Sequence, residues 1–445
     1  MASTFSELDD LVALITTAVA DVKAEYTKLN LPFPKLADVN PHPIDSTIIP
    51  QKLQRATQTI SGACAQLSAL VVPPSQIMYM RAGDFITTAS LRVALESNIA
   101  DILKDHPDGL HVSEVASRSG IEQGKIGRVL RLLATKHCFR EVKKDVWANN
   151  RLSVGLLQDN PLRYIIAFNA DDSGKAGGYL YETLEDKVSG PSYAVEHTPF
   201  ARFHGKPVWD FFLDNPDRSQ RFSKGMPGFA QVFDTNTMIH GYPWQDIPAG
   251  STLCDVGGGF GHISMNIARL NPGLRVVLQD LPSNVEPAKA LWQAQASDII
   301  QAGKIEFVPI DFFKDIPVAG CDYYYMKHVI HNWPDNASKT ILANVKKAMQ
   351  PNSRLILQEY VIQHTSRDQD NAQNDLETAP EPLLPNFGEG RFLRYRLDLS
   401  MMIVFGSHER TLDNFKELGN AVGLELVEVR NCGELSAIEY RLAEP

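Results

Sequence analysis

The run "TLCDVGGGFGHISMNIA", residues 252–268, constrains this chain more than any other. A short apolar stretch closes on Asp255, and glycines follow at 257, 258, 259 and 261 before an apolar-periodic segment begins. Glycine lacks a Cβ, so Gly257, Gly259 and Gly261 let the chain turn tightly and bring bare main chain against a ligand. A strand, a glycine turn and a helix in that order open an α/β unit. In open sheets of that kind, ligands bind beyond the carboxyl ends of the strands.

The remainder of the chain after Ser251 repeats the unit. The strand-like runs "RVVLQDL", "IEFVPIDF", "CDYYYMKHVI" and "RLILQEYVI" alternate with the helical runs "EPAKALWQAQASDIIQAG" and "NASKTILANVKKAMQPN". This alternation predicts a parallel, doubly wound, Rossmann-like sheet over 241–445. One stretch interrupts it: residues 364–390 are polar, acidic and proline-containing, and too long for an ordinary connection, so they read as either a disordered insertion or a mobile lid.

The spacing of the glycines selects among ligands. A dinucleotide fingerprint needs a small sixth residue for close helix packing, and here that residue is His262. The loop, with Asp255, Gly257, Gly258 and Gly259, suits a nucleoside without a pyrophosphate. Asp280, followed by Leu281, ends the next strand, where a carboxylate can accept from both ribose hydroxyls. Asp311 ends the third and can take an adenine amino group, with Phe312 against the ring. Each acid alone could be a structural cap of a βα loop. Three of them on successive strand ends behind a glycine loop point to S-adenosylmethionine.

The first half of the chain is helical. Residues 5–29 and about 51–70 form an N-terminal extension (1–72). In the region 73–240, "HVSEVASRSG", "EQGKIGRVLRLLATKHC" and "FREVKKDVWANN" read as a helix capped by Ser113, a Gly120 turn, a second helix and a β-wing. Such a winged helix binds DNA or serves as a dimerisation module. The net charge of −10 and the lack of another basic patch favour dimerisation and no nucleic acid. The apolar run "LVALITTAVA" follows "ELDD" and is too short to span a bilayer, so neither a secretory signal nor a membrane segment is expected. Five cysteines without a CxxC pair fit free thiols in a cytoplasmic protein.

The boxes "CDVGGGFG", "QDLP", "DFF", "MKHVIHNWPD", "LQEYV" and "GSHERT", together with the winged-helix region, cover most of the chain. In them the chain resembles the plant- and fungal-type small-molecule O-methyltransferases, the caffeate and flavonoid group, and its fungal secondary-metabolite branch most. The resemblance implies a homodimer and His331 as the catalytic base. It also implies Glu359 and Glu409 flanking that base, and Lys327 near the cofactor. A histidine suits the task, because a phenol ionises at about 10 and imidazole accepts protons near 6.5.

His328 lies three residues before the base and, on an extended segment, would face the other way; it reads as structural. Many relatives have His-Asp-Trp where this chain has His331-Asn332-Trp333. Asn332 can hydrogen-bond a substrate oxygen but brings no charge. Met401 and Met402 read as either plain core or an acceptor-pocket wall, and Phe168 and Trp209 as aromatic wall. Such a pocket fits a flat phenol or polyketide. No metal cluster is evident, so no metal is expected. Some fungal proteins of this architecture use the cofactor as a fixed charge for pericyclic or dehydration steps; loss of the base is their sign, and His331 is present.

Overall fold

The computed structural model describes residues 5–232, 239, 241–367 and 376–444. The chain divides into two compact units, residues 1–233 and 234–445.

The first unit begins with the helices Ser6–Lys28 and Gln51–Val71, joined through Ala18, Val22, Ile44, Leu53 and Ala56. The helix Asp84–Glu96 follows. Strand β1 (Leu110–His111) then precedes the helices Val112–Ser119 and Gln123–Thr135, with β2 (Arg140–Lys143) and β3 (Val146–Ala148) behind them. The three strands form an antiparallel sheet in the order β1-β3-β2, the wing expected from "FREVKKDVWANN". Apolar residues at helical spacing (Ile126, Leu130, Leu133) pack with Ile99, Val115, Phe139 and Trp147. The cap differs from the sequence reading. His111, not Ser113, is the extended residue before the first turn, and its ring Nδ1 accepts from the Ser113 backbone N–H at 3.3 Å. Gly120 ends that helix in the left-handed region, φ +72°.

Further on, the helix Leu162–Phe168 runs into a π-turn, Asn169–Ser173. There Asp171 and Asp172 are buried and paired with Arg218 and Arg221, Asp171 also with Arg92 and Lys175. Phe168, Phe212 and Phe222 cluster beside this network, with ring centroids 5.0–6.4 Å apart.

The second unit is a seven-stranded sheet: β4 (Thr252–Val256), β5 (Arg275–Asp280), β6 (Ile305–Pro309), β7 (Tyr323–Lys327), β8 (Arg354–Glu359), β11 (Leu424–Cys432) and β12 (Leu435–Leu442). Two short strands, β9 (Val361–Ile362) and β10 (Arg410–Thr411), pair separately. The order is β11-β12-β8-β7-β4-β5-β6. Strands β4 to β8 are parallel, as expected from the alternating pattern. The sheet is nevertheless mixed: β12 runs antiparallel to β8 and to β11. Only Gly433 and Glu434 separate β11 from β12, too few for a crossover, so the two can only fold back as a hairpin.

Sequence order reverses between β4 and β7, and this switch point opens a crevice at the carboxyl ends of the strands. The register sets what lines it. Asp255 lies opposite Tyr325 and Lys327 opposite Gln358, so the glycine loop, the turn after β7 and Glu359 leave the sheet side by side.

Within the segment 364–390, residues 376–390 are packed and hydrogen-bonded. Ala379, Leu383 and Phe387 are buried, and Arg367 donates to the carbonyls of Ala379 and Leu383. Buried Arg391 holds Glu377 at 2.9 Å and Gln363 at 3.0 Å. Polar composition concealed a segment ordered by arginine–carbonyl bonds. Residues 368–375 lie outside the described residues.

Candidate active site

The glycine loop hangs from β5. The Gln279 carbonyl accepts from the Gly257 and Gly258 N–H groups, at 2.8 and 3.3 Å. A Cβ on Gly258 would stand 2.4 Å from the Asp255 carboxyl, whereas one on Gly259 would meet nothing within 4 Å. The loop is therefore closed beneath and open above at Gly259, whose φ of +60° also favours glycine. Asp255 lies beneath the loop, fully buried. Burial lifts its carboxyl to about 7, opposed by a Ser264 hydrogen bond and aided by the Asp280 charge. Asp280 binds the loop itself: Oδ2 accepts from Gly259 N–H at 2.7 Å, and Oδ1 from Leu281 N–H and Asn284.

Leu281 is half exposed beyond it. The Phe312 ring edge reaches the Gly257 position. Asp311 is partly exposed and pairs with Lys314 at 2.7 Å, which holds its carboxyl below the usual range. Bare backbone, an acid at the end of β5 and an aromatic edge beside the loop together fit a nucleoside-bearing cofactor.

Strand β7 ends at Lys327, and the chain then turns into a short 3₁₀ segment, Ile330–Asn332. Glu359, wholly buried at the end of β8, shapes that turn: its Oε1 accepts from the N–H groups of Val329 and Ile330, at 3.1 and 2.9 Å. The turn presents His331, 7% exposed, whose Nδ1 lies 2.7 Å from Glu409 Oε1. A carboxylate only accepts, so Nδ1 carries the proton and Nε2 keeps its lone pair. Burial lowers the His331 pKa, but Glu409 and Glu359 outweigh it and the group ends above the ordinary histidine value. Burial lifts the Glu359 carboxyl to about 7. It also pushes the Lys327 ammonium down to about 8, against the pull of Glu359 and Asp255.

The structure thus brings His331, Glu359 and Glu409 together, but with different tasks. Glu409 holds the ring, and Glu359 holds the backbone of the turn. Their ligand atoms lie within 4.8 Å of one another, a spacing that a divalent ion could also bridge, although Nδ1 is already engaged by Glu409.

Arg410 is a site residue that the sequence reading quoted in "GSHERT" but did not assign. Its buried guanidinium donates to the carbonyls of Ile330 (3.1 Å) and Trp333 (2.9 Å) on either side of the base, to Ser338 Oγ (3.2 Å), and to Asp335 (2.7 Å). Ser407 Oγ donates to the His331 carbonyl. Asp398, one helical turn before Met401 and Met402, accepts from the Glu409 N–H at 2.9 Å. The signal was adjacency: Arg410 follows Glu409 directly.

His328 departs from the sequence reading. The segment is not extended, and its backbone sits in the left-handed region, φ +51°. Its ring consequently lies on the same side as His331, near-parallel at 21° with centroids 4.9 Å apart. Asn332 donates through Nδ2 to the His328 carbonyl at 2.9 Å. Met401 is buried and Met402 partly buried on the helix Phe392–Phe405. In the first unit Phe168 is buried, while Trp209 is 48% exposed and packs edge-on against Phe212.

A glycine loop at the switch point of an open α/β sheet, with a carboxylate-held imidazole at the end of the neighbouring strand, is the arrangement of a ligand site that also carries a candidate acid–base group. The chain matches the O-methyltransferase domain over residues 181–425 and the O-methyltransferase dimerisation domain over 80–159. It is 40% identical over 437 residues to a 3-O-methyltransferase 2 of Phanerochaete chrysosporium, covering 98% of this chain and 97% of that one. The chain belongs to the O-methyltransferase family.

Among solved structures, the calicheamicin methyltransferase CalO1, bound to S-adenosylhomocysteine, matches with TM-score 0.62 at 24% identity, over 83% of this chain and 98% of that one. A structure described as a pericyclic reaction enzyme matches with TM-score 0.68 at 20% identity, over 96% and 100%. At those identities both show a shared fold. No helix among the described residues is long and apolar enough to cross a membrane.

Proposed function

We propose that this enzyme transfers a methyl group from S-adenosylmethionine to a hydroxyl of a phenolic or enolic, polyketide-like metabolite, as a homodimer, with His331 as general base. The observation that carries the reading is the 2.7 Å His331 Nδ1–Glu409 contact, which leaves Nε2 as a fixed acceptor in a buried site. When bound, the cofactor supplies an already activated methyl on a sulfonium.

The chain's own work is positioning and one proton transfer. Gly257, Gly258 and Gly259 offer backbone to the cofactor, Asp280 faces its ribose and Phe312 its base, with Lys327 close by. Nε2 of His331 takes the hydroxyl proton as the oxygen attacks, and Glu409 stabilises the imidazolium that results. The carboxylates hold the His331 pKa above the ordinary value, which strengthens it as a base toward a phenol of pKa about 10. Met401 and Met402 wall the acceptor side in the second unit, and Phe168 and Trp209 belong to the aromatic part of the first.

The test is transfer of labelled methyl from S-adenosylmethionine into organic extract over a panel of phenols and polyketides. It runs beside His331→Ala and a cofactor-binding assay. Label in a product, lost by about two decades or more in the variant, supports the reading. Cofactor binding with a metabolite remodelled without gaining a methyl group would overturn it in favour of a pericyclic or dehydration reaction.

A further inference from the structure

His328, the first histidine of "MKHVIHNW", has no assigned task, and the geometry around it is specific. Its ring is stacked with two others: His331 lies 4.9 Å away at 21°, and Tyr360 lies 5.2 Å away at 17°. Tyr360 is wholly buried at the end of the sheet, immediately after Glu359, so that ring is anchored.

The place of the His328 ring depends on an uncommon backbone. A left-handed φ of +51° at a residue with a side chain turns the His328 ring back toward His331 instead of away from it. Two hydrogen bonds hold that conformation: His328 N–H donates to the Gln358 carbonyl at 3.3 Å, and Asn332 Nδ2 donates to the His328 carbonyl at 2.9 Å. A carbonyl accepts only, so residue 332 must supply a donor, which asparagine has and ionised aspartate lacks.

We propose that His328 and Asn332 form a positioning unit for the base: Asn332 clamps the left-handed turn, and the His328 ring, backed by Tyr360, fixes the plane of the His331 imidazole. This rests on His331 acting as base in methyl transfer. Glu409 holds the ring at Nδ1 and the Cβ–Cγ bond tethers it at Cγ, which leaves the ring plane a rocking freedom within the tolerance of one hydrogen bond. A flat neighbour on the ring face removes that freedom. Nε2 then stays aimed in one direction. The unit also gives Asn332 a task that does not involve the substrate.

The experiment compares His328→Ala, His328→Phe and Asn332→Asp with the wild type, each with measured cofactor Kd and melting temperature. Transfer by the wild type and its loss in His331→Ala are established first. His328→Ala is expected to lower kcat by about 10- to 100-fold while KM for the acceptor holds, the pattern of a misaimed group and not of lost binding. His328→Phe, which keeps a flat ring, restores most of kcat. Asn332→Asp lowers kcat in the same sense, with cofactor Kd unchanged. A folded His328→Ala with wild-type kcat overturns the proposal. So does a His328→Phe as impaired as the alanine variant, which would mean that a ring nitrogen and not the ring face is needed. An Asn332→Asp with wild-type kcat removes the clamp.

Should the wild type bind S-adenosylmethionine and methylate nothing, the methyl-transfer reading fails and the stack is read separately. The His331 imidazole resonance, assigned by its loss in His331→Ala, carries a ring-current shift that persists in His328→Phe and disappears in His328→Ala. A shift unchanged in the alanine variant overturns the stack.

Discussion

Glu409→Gln isolates the interaction on which the base depends. The contact is 2.7 Å between side chains that are 8% and 0% exposed, so solvent screens it little. A unit charge at about 4 Å, at an effective dielectric near 20, contributes about 4 kcal/mol, or about 3 pKa units. Burial already lowers the His331 pKa and stays after the substitution, while Glu359 still raises it. The acid limb of kcat/KM, which in the wild type falls as the pH drops through a pKa above the ordinary histidine value, should therefore move about 1–3 units to lower pH.

The plateau should fall as well. Glutamine can present its amide N–H to Nδ1, which moves the ring proton to Nε2, where the lone pair is needed, at a cost of about 10²–10⁴ in rate. The assay is a pH profile of kcat/KM from pH 5 to 10 with labelled cofactor, beside cofactor Kd for each variant. An unmoved limb with an intact plateau would refute the assignment of Glu409 as the group that holds the base. A lost plateau with an unmoved limb would confine Glu409 to steering.

Four further outcomes are expected. Arg410→Met leaves the carbonyls of Ile330 and Trp333 without their buried donor, and should lower stability by about 2–4 kcal/mol in urea titrations, discounted because Asp335 is half exposed; an unchanged midpoint contradicts the clamp. Gly258→Ala places a methyl 2.4 Å from the Asp255 carboxyl and 2.6 Å from Leu278, so cofactor affinity by calorimetry should drop by about tenfold or more, from backbone displacement. Activity should survive dialysis against EDTA, and its loss with recovery on added metal would assign the 4.8 Å His331–Glu359–Glu409 cluster to an ion.

The fourth concerns acid stability. Burial opposes ionisation of Asp171, but Lys175, Arg218 and Arg221 outweigh it and hold the carboxyl far below the usual range. A depressed folded pKa contributes stability above the unfolded value, near 3.9, that is lost as pH falls toward the folded one. Asp171→Asn should therefore unfold more readily at pH 7, by about 3 kcal/mol, with the difference from wild type shrinking below pH 4. A constant difference down to pH 2 contradicts the pairing.

What the sequence made legible follows from how local each cause is. The glycine loop and the strand ends are set by residues within a few positions of one another, and "CDVGGGFG", Asp280 and Phe312 stand together at one edge of the sheet. The hairpin β11–β12 was missed because apolar alternation gives strands without giving direction; only the two-residue turn at 433–434 does. The packing of residues 376–390 is not legible in composition, which weighs polar residues as solvated, whereas Arg367 and Arg391 donate to main-chain carbonyls there.

The His328 error has the most consequence for the site. Counting faces along an extended segment presumes that every residue keeps strand dihedrals, and one left-handed residue reverses the count. No periodicity signals that residue. Its only trace in the chain is a short-range donor, Asn332, placed four residues on to reach the His328 carbonyl. The departure from His-Asp-Trp, which by sequence bears only on the substrate, thus becomes the feature that fixes which way the second imidazole faces. An amide at that position and a ring at 328 should then change together: Asn332→Asp should do less harm in the His328→Ala background than in the wild type. Additive losses in that double-mutant cycle would mean that the two residues act independently.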